Sequence, residues 1–386
     1  MRLPLIVLLC ATTFVSVCSG GAFPSLLPEI ARETALPDWQ LGLFAGAFGF
    51  ARMVADLPAG MFVARHLAAA LIAGPIVLVA GTLILASAGD FPTLFAGRAL
   101  MGVGQALSMV AGLTAILQAA TARRLAVALN ALEFSAMLGL LSGAGLVALL
   151  PRALSWKAVL LTTCVPQVLG FVALPAMLSR LPRHGSPHSL PMTHDATPSA
   201  RNGALVVLAC AAGAALAISY ASVEQLVIPV RGSREFGLDR GSIAQIFMLM
   251  QACDAAALIP VGLLADRVGA VRVLAGVMFA LAVASLLIGF APLAGLTVGA
   301  VLFGVGMAGW MIPLSVLRRE TPSARMAWRT ALYRVGVDGG IFLGPFIGGL
   351  VANRHLAVVA VALAFIGGGL LRADRGRPVV RKRTER

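Results

Sequence analysis

Eight ionisable side chains lie inside segments of the sequence that are otherwise apolar. They are Arg52, Asp56, Arg98, Glu133, Glu224, Asp254, Arg334 and Asp338. A charge at the centre of a lipid bilayer costs roughly 2.5 to 3.5 kcal/mol, so such residues indicate ligand binding, proton transfer or ion pairing. Arg52 with Asp56, and Arg334 with Asp338, have the i, i+4 spacing at which two charges on one helix partly neutralise each other.

The composition shows that these segments belong to a membrane protein. Hydrophobic residues make up 59% of the chain and charged residues 12%, and the mean hydropathy is +0.93. In soluble domains, hydrophobic residues make up about 45 to 50% and charged residues about 25%. The apolar runs are continuous rather than alternating, and about 20 apolar residues cross the hydrocarbon core, so the sequence predicts helices and not a barrel.

Breaks between the apolar runs predict twelve membrane-spanning helices, six in each half of the chain. The predicted spans are 4–27, 39–62, 69–88, 93–119, 125–149, 156–178, 204–228, 241–264, 271–290, 294–317, 327–351 and 355–371. The connection at 352–354 is the least marked of the breaks. The predicted fold class is therefore an all-α integral membrane protein.

The two halves repeat a pattern of small residues at an offset of 202 positions. Pro58 and Gly60 with Arg65 recur as Pro260 and Gly262 with Arg267, and the glycines at 97, 102 and 104 recur at 299, 304 and 306. Two similar apolar halves are typical of secondary transporters, whose binding site lies between the repeats. We predict a six-helix bundle over 1–178, a cytoplasmic linker over 179–203, a second bundle over 204–372 and a basic tail over 373–386.

The distribution of positive charge predicts the orientation of the chain. Of the 30 Lys and Arg residues, 20 fall on the side of the predicted spans that carries both termini and 7 on the other side. This bias predicts cytoplasmic termini in an inner membrane, and a basic tail that touches anionic lipid. The net charge of +14 is thereby explained without nucleic acid. The opening residues also resemble a signal peptide, but the length of the apolar run favours an uncleaved first span.

The segment Gly262-Leu-Leu-Ala-Asp266-Arg267-Val-Gly269 resembles the loop signature G-x-x-x-D-R-x-G of the major facilitator superfamily. The first-half copy, from Gly60 to Arg65, has Ala64 in place of the aspartate. The resemblance covers essentially the whole chain and implies a cytoplasmic latch between the halves in the outward-facing state. The alternative interpretation of both copies is a tight turn with an arginine that sets topology.

Two further patterns resemble signatures of the same superfamily. Arg98, in the segment from Phe95 to Gly102, resembles the fourth-span arginine that is tied to proton coupling, and the second half has Ala300 at the equivalent place. The fifth-span pattern G-x-x-x-G-P of drug/proton antiporters is incomplete, because Ala144 replaces the proline. Its complete form occurs only in the eleventh span, so the sequence allows efflux without specifying it.

The resemblance also implies roles for the charged and polar residues. In this superfamily spans 2, 5, 8 and 11 form the contact between the halves, and spans 1, 4, 7 and 10 line the cavity. The residues assigned to an interdomain charge network are Arg52, Asp56, Asp254, Arg334 and Asp338. The candidates for substrate or proton binding are Arg98, Glu133, Glu224, Gln105, Gln225, Tyr220 and Trp310. Proton carriage and plain structural pairing remain alternatives for the network.

Two expectations concern the geometry of these groups. The 202-residue offset places Asp254 opposite Arg52, so a pseudo-twofold axis between the halves would bring these charges together. Arg98 and Glu224 lie toward the external ends of their spans, and an external gate is the alternative to substrate or proton binding.

The sequence thus predicts a monomeric secondary active transporter that moves a small molecule by alternating access, coupled to protons, with efflux as one possible direction. The alternative is a transporter-like receptor or scaffold that binds without transport. No His, Cys and carboxylate constellation suggests an enzyme or a metal site, and no cofactor is expected. The GxGxxG of Gly304 to Gly309 lies inside an apolar span, where it favours close helix packing over dinucleotide binding.

Overall fold

The computed structural model describes residues 3–119, 125–181, 203–321 and 323–375, and the secondary structure within these ranges is helical. The linker histidines His184, His188 and His194 and the end of the basic tail lie outside the described residues. The α-helices are α1 Leu3–Glu33, α2 Asp38–Arg65, α3 Leu67–Ser87, α4 Phe91–Ala119, α5 Leu125–Leu149, α6 Trp156–Gly170, α7 Leu174–Leu178, α8 Gly203–Ser222, α9 Ile228–Arg234, α10 Arg240–Val268, α11 Ala270–Phe290, α12 Leu293–Met307, α13 Ile312–Arg319, α14 Ser323–Val351 and α15 His355–Arg375.

Eleven stretches of the described residues are long and apolar enough to cross a membrane, and the last contains two crossings. This stretch, Trp328–Arg375, has 48 residues, and at 1.5 Å per residue about 72 Å of helix would be twice the bilayer core. A 3₁₀ turn at Ala352–Arg354 divides it into α14 and α15. Gly348, near the end of α14, packs on Leu226, which lies just after the end of α8. Gly369, near the end of α15, packs on Leu208 near the start of α8, so the chain reverses direction between α14 and α15. The prediction of twelve crossings is confirmed.

Close helix contacts repeat at the predicted offset in both halves. Gly102 of α4 packs against the backbone of Phe48 on α2, and Gly304 of α12 packs against the backbone of Met250 on α10. Both members of the second pair lie 202 residues after those of the first. A side chain at either glycine would meet a carbonyl oxygen of the facing helix. The halves, α1–α7 and α8–α15, are therefore structural repeats as well as sequence repeats.

The helix ends define two faces of the bundle. The terminal face carries the start of α1, the α2–α3 and α10–α11 turns, and the ends of α4 and α15; the distal face carries the α1–α2, α3–α4, α5–α6, α9–α10 and α14–α15 connections. Two long helix pairs join the halves. The α2–α14 seam is antiparallel, with Gly42 against Gly349 near the distal face and Met53 against Gly339 farther along. The second seam lies between α5 and α10.

Helix boundaries differ from the prediction where local chemistry overrides the apolar pattern. The predicted first span ends at 27, but α1 continues to Glu33. The predicted eighth span ends at 264, but α10 continues to Val268. The helix therefore contains Gly262, Asp266 and Arg267 of the loop signature. Gly269, with φ of +106°, ends the helix, because that backbone conformation is readily available only to glycine.

Three spans that the sequence predicts as single continuous helices are interrupted. The sixth contains a 3₁₀ turn, Phe171–Ala173, between α6 and α7. The seventh contains a π-helical segment, Val223–Val227, between α8 and α9. The tenth, predicted over 294–317, is broken at Ala308–Met311, between α12 and α13. A π segment inserts an extra residue into a helical turn and is frequent at functional sites.

Candidate functional site

A cavity of about 280 Å³ lies between the two halves and is lined by residues of both. Its lining is mostly apolar. The polar and ionisable candidates that reach it are Arg52, Gln105, Glu133, Tyr220, Asp254 and Trp310, together with Gln251. An apolar cavity with a few placed polar groups is the usual form of a small-molecule site.

The cavity extends from the middle of the bundle toward the terminal face. Its lining includes Leu9 near the start of α1, Leu71 near the start of α3, and Met177 at the end of α7. These residues lie within a few turns of the terminal face. Arg98, Glu224 and Gln225 do not line it.

Arg98 closes the distal side of the cavity by a contact between the halves. Its Nη2 donates a hydrogen bond to Oε1 of Gln225 over 2.9 Å, and the residue is only 2% exposed. The guanidinium lies 3.5 Å from the centroid of the Phe23 ring and 4.8 Å from that of Phe48. Aromatic faces attract a desolvated guanidinium. Arg98 therefore binds the other half instead of a carboxylate of the cavity.

Glu224 lies behind the cavity wall and is held by two residues that line it. The Tyr220 hydroxyl donates to Glu224 Oε1 over 3.2 Å, and Gln251 Nε2 donates to Oε2 over 3.3 Å. Tyr220 also contacts Trp310 edge to face, with 5.8 Å between ring centroids. The π segment carries both Glu224 and Gln225, so adjacent residues reach Gln251 in one direction and Arg98 in the other.

Polar contacts seal the distal face between the halves. Arg240, at the start of α10, donates to Glu29 Oε2 at 3.0 Å and to the carbonyl oxygens of Leu154 and Pro151 at 2.7 and 2.5 Å. Its side chain is 2% exposed. Two further ion pairs join the halves, Arg234 to Asp38 at 2.7 Å and Arg152 to Asp239 at 2.5 Å.

The four charged residues midway along α2 and α14 pair across the seam between the halves. Arg52 Nη2 lies 3.0 Å from Asp338 Oδ1, and Arg334 Nη2 and Nε donate to Asp56 Oδ2 over 2.7 and 3.0 Å. The spacing in the sequence had suggested pairs within each helix. The structure shows the crossed arrangement, because the antiparallel helices bring opposite charges level with each other.

The α5–α10 seam carries two carboxyl groups, Glu133 in the first half and Asp254 in the second. Both line the cavity, and they are close enough to interact electrostatically. Asp254 Oδ1 is buried and has no hydrogen-bond partner among the described residues. The offset in the sequence had suggested that Asp254 faces Arg52. Both line one cavity, but the ion-pair partner of Arg52 is Asp338.

The residues of the loop signature lie at the terminal face. Arg65, Asp266 and Arg267 are exposed and have no ion-pair partner within the ranges that the structure describes. A methyl group added at Gly60 or Gly262 would have no neighbouring atom within 4 Å, so neither glycine marks a close contact with another helix. In this conformation the signature residues therefore do not join the halves.

Several residues of the site were not identified from the sequence. Phe23 and Phe48 enclose Arg98, Gln251 binds Glu224, and Arg240 with Glu29 seals the distal face. Gln251 precedes Asp254 by three positions on one helix, and this spacing is the signal that could have identified it. The partners of Arg240 include backbone carbonyls, which leave no trace in side-chain spacing.

The geometry can be compared with known proteins. The family model described as Major Facilitator Superfamily matches residues 9–232 and 205–386. The chain belongs to the Major Facilitator Superfamily. The resemblance drawn from the loop signature is thus confirmed over nearly the whole sequence, and the chain is a multi-pass membrane transport protein whose superfamily binds small-molecule substrates. A comparison with curated proteins gave no match.

Solved superfamily structures share the fold at low sequence identity. A bacterial homolog of the human lysosomal transporter Spinster, in an inward-facing and occupied conformation, matches with a TM-score of 0.74 and 14% identity over 97% of each chain. A POT family transporter in complex with 5-aminolevulinic acid matches with a TM-score of 0.78 and 12% identity over 95% of each chain. A peptide transporter POT in complex with sulfate has a TM-score of 0.74 and 13% identity, over 96% of this chain and 94% of that one.

Proposed function

We propose that the chain is a secondary active transporter that moves a small molecule by alternating access and is driven by protons. The observation that carries the proposal is the central cavity, which both repeats line, which buried contacts between the halves close on the distal side, and which extends toward the terminal face. A site that opens to one side at a time is what alternating access requires.

The terminal face is assigned to the cytoplasm of an inner membrane because most Lys and Arg residues fall on its side of the sequence. The conformation is then inward-facing. The exposed loop signature supports this assignment, since the latch that the superfamily resemblance implies belongs to the outward-facing state. The inward-facing conformation named for the Spinster homolog, which shares this fold, is also consistent with it.

Protons are assigned to the carboxyl groups of the cavity. Glu133 and Asp254 face it, and neither has an ion-pair partner among the described residues. A buried carboxylate without a cation is unfavourable, so a proton or a positively charged ligand stabilises it. Glu224 is one layer deeper and is connected to the cavity by the hydrogen bonds that Tyr220 and Gln251 donate to it. Exchange of the substrate against protons that enter the cell would move the substrate outward, which is efflux.

Movement between states is assigned to a change of partners among Arg52, Asp56, Arg334 and Asp338. In the structure each arginine binds the carboxylate of the opposite helix. Each also has a carboxylate four residues away on its own helix, a spacing that allows direct pairing. When the seam opens, the arginines turn to these residues, so no charge is left unpaired in the membrane.

The experiment starts with compounds that raise the melting temperature of the purified protein, because a ligand stabilises the state that binds it. In liposomes, we expect unlabelled compound on the inside to drive uptake of labelled compound, and an imposed pH gradient to drive net movement that a protonophore abolishes. Binding without counterflow would instead support the receptor or scaffold. Counterflow that ignores the pH gradient would remove proton coupling from the proposal.

A further inference from the structure

The charges that face the cavity do not balance. Among the described lining residues, the groups that are charged at neutral pH in water are Arg52, Glu133 and Asp254. The charge of Arg52 is neutralised by Asp338, which is 2% exposed and lies 3.0 Å away. Glu133 is close enough to Arg52 to interact with its charge, but neither Glu133 nor Asp254 has an ion-pair partner among the described residues. One arginine thus faces three carboxyl groups, and a negative excess in an apolar site favours a positively charged ligand.

The remainder of the lining suits an apolar ligand of variable shape. Six of the 14 methionines of the chain line the cavity, namely Met101, Met109, Met137, Met177, Met307 and Met311. Methionine side chains are flexible and polarizable, and proteins use them where a surface must adapt to different ligands. The edge-to-face pair of Tyr220 and Trp310 adds aromatic surface, which attracts both apolar groups and cations.

Several hydrogen-bonding groups of the lining are already paired with other groups of the protein. Thr12 and Ser16 line the cavity, but the hydroxyl of Thr12 donates to the carbonyl of Leu9 and that of Ser16 to the carbonyl of Thr12. Gln251 donates to Glu224. Buried Oδ1 of Asp254 has no partner among the described residues, so an acceptor without a donor faces the region between the halves.

We propose that the cavity binds amphipathic organic molecules with a single positive charge. The cationic group lies between Glu133 and Asp254, and the apolar part contacts the methionines and the Tyr220–Trp310 pair. The assignment rests on the proposed function, because it identifies the substrate class of the same cavity. It also explains why the site spans both halves, since a cation between Glu133 and Asp254 is attracted by one carboxyl group from each half.

The test uses two ions of nearly equal size and opposite charge, tetraphenylphosphonium and tetraphenylborate, with the full-length protein purified in detergent. We expect the phosphonium to raise the melting temperature in a saturable way and the borate to have no such effect. Both ions partition into detergent, so the comparison isolates the sign of the charge. Equal stabilisation by the two ions would overturn the proposal, even if no variant could be prepared.

Carboxyl-to-amide variants locate the charge that is recognised. We expect Glu133→Gln and Asp254→Asn each to weaken phosphonium binding by at least tenfold. The matched control is Asp374→Asn, which removes a carboxylate that pairs with exposed Arg272 outside the cavity, and it should bind like the native protein. Native affinity in both cavity variants would contradict the site. Binding of the phosphonium without its transport would contradict the proposed function but not the site. Proton-driven transport of another compound, with no binding of the phosphonium, would contradict the site but not the proposed function.

Discussion

Arg52 forms an ion pair with Asp338 of the opposite half at 3.0 Å, although Asp56 lies one helical turn away on its own helix. Arg334 likewise forms an ion pair with Asp56 of the opposite half. The seam between α2 and α14 is therefore joined by two crossed ion pairs, which lie midway along both helices. Both arginines keep a second carboxylate within reach on their own helix, which gives the seam two electrically neutral arrangements.

Charge reversal distinguishes the crossed arrangement from pairing within one helix. We expect Arg52→Asp to lower stability by a few kcal/mol, because the buried carboxylate of Asp338 would face another carboxylate. Adding Asp338→Arg should restore most of the melting temperature. The control is Arg52→Asp with Asp56→Arg, which restores pairing only within the helix. Equal rescue by both double variants would show that the seam is not held by the crossed pair.

The hydrogen bond between Arg98 and Gln225, called the distal gate below, joins the two halves on the distal side of the cavity. We expect Gln225→Ala to favour distal opening, since the buried guanidinium of Arg98 would lose its acceptor at a cost of about 1 to 3 kcal/mol. Gln225→Glu should favour closure, because a carboxylate binds the guanidinium more strongly. The width of the distal face, measured by pulsed EPR, should move in opposite directions in the two variants. Gln105→Ala, which alters the cavity and not the gate, is the control.

Gly42 of α2 packs closely against Gly349 of α14 near the distal face. A methyl group at Gly42 would overlap backbone atoms of Pro345 and Gly349, and overpacking costs about 1 to 3 kcal/mol. We expect Gly42→Ala to lower the melting temperature. Gly276→Ala is the control, because that glycine is also helical but has no neighbour within 4 Å of an added methyl group. Similar melting temperatures in the two variants would contradict the close contact.

Asp239 stabilises the start of α10 and makes this contribution dependent on pH. Its side chain accepts from the backbone of Ser242 over 2.9 Å and pairs with Arg152. Hydrogen bonding from Ser242 lowers the pKa of Asp239 below its ordinary value. The stabilisation that Asp239 provides is therefore complete above the pKa that this carboxyl group has in the unfolded chain. It is lost as the pH falls through the lower pKa that the group has in the folded protein.

Melting curves between pH 7 and pH 3 test this contribution. We expect Asp239→Ala to cost about 1 kcal/mol at neutral pH through the lost helix cap, and the difference from the native protein to shrink in acid. Asp239→Asn keeps a capping oxygen without the charge, so its helix cap should not depend on pH in this range. A difference between the native protein and Asp239→Ala that is unchanged at pH 3 would exclude the ionised cap.

The overall fold could be predicted from the sequence because apolar length and the 202-residue offset are properties of the chain itself. The interruptions at Val223–Val227 and Ala308–Met311 could not, since both lie inside predicted spans that are apolar on either side of them. Candidate residues followed from the cost of charge in a membrane. Their partners did not, because the pairing of Arg52 with Asp338 depends on the register of two helices 286 residues apart in sequence.

Arg240 makes the most extensive buried contact between the halves on the distal face, so we expect distal closure to depend on it most directly. It belongs to the second half, is buried, and donates to Glu29 and to two carbonyl groups of the first half. Its replacement by alanine removes these contacts without altering any residue of the terminal face. Alternating access then predicts that the two faces respond in opposite senses.

The most direct test measures both faces by pulsed EPR after the five native cysteines are replaced. One pair of labels, at Gly89 and Ala294, spans the distal face, and another, at His66 and Val268, spans the terminal face; all four positions are exposed. In Arg240→Ala we predict a longer distal and a shorter terminal distance than in the native protein, with Arg272→Ala unchanged as the control. Distances that stay fixed, or that change in the same direction at both faces, would contradict alternating access.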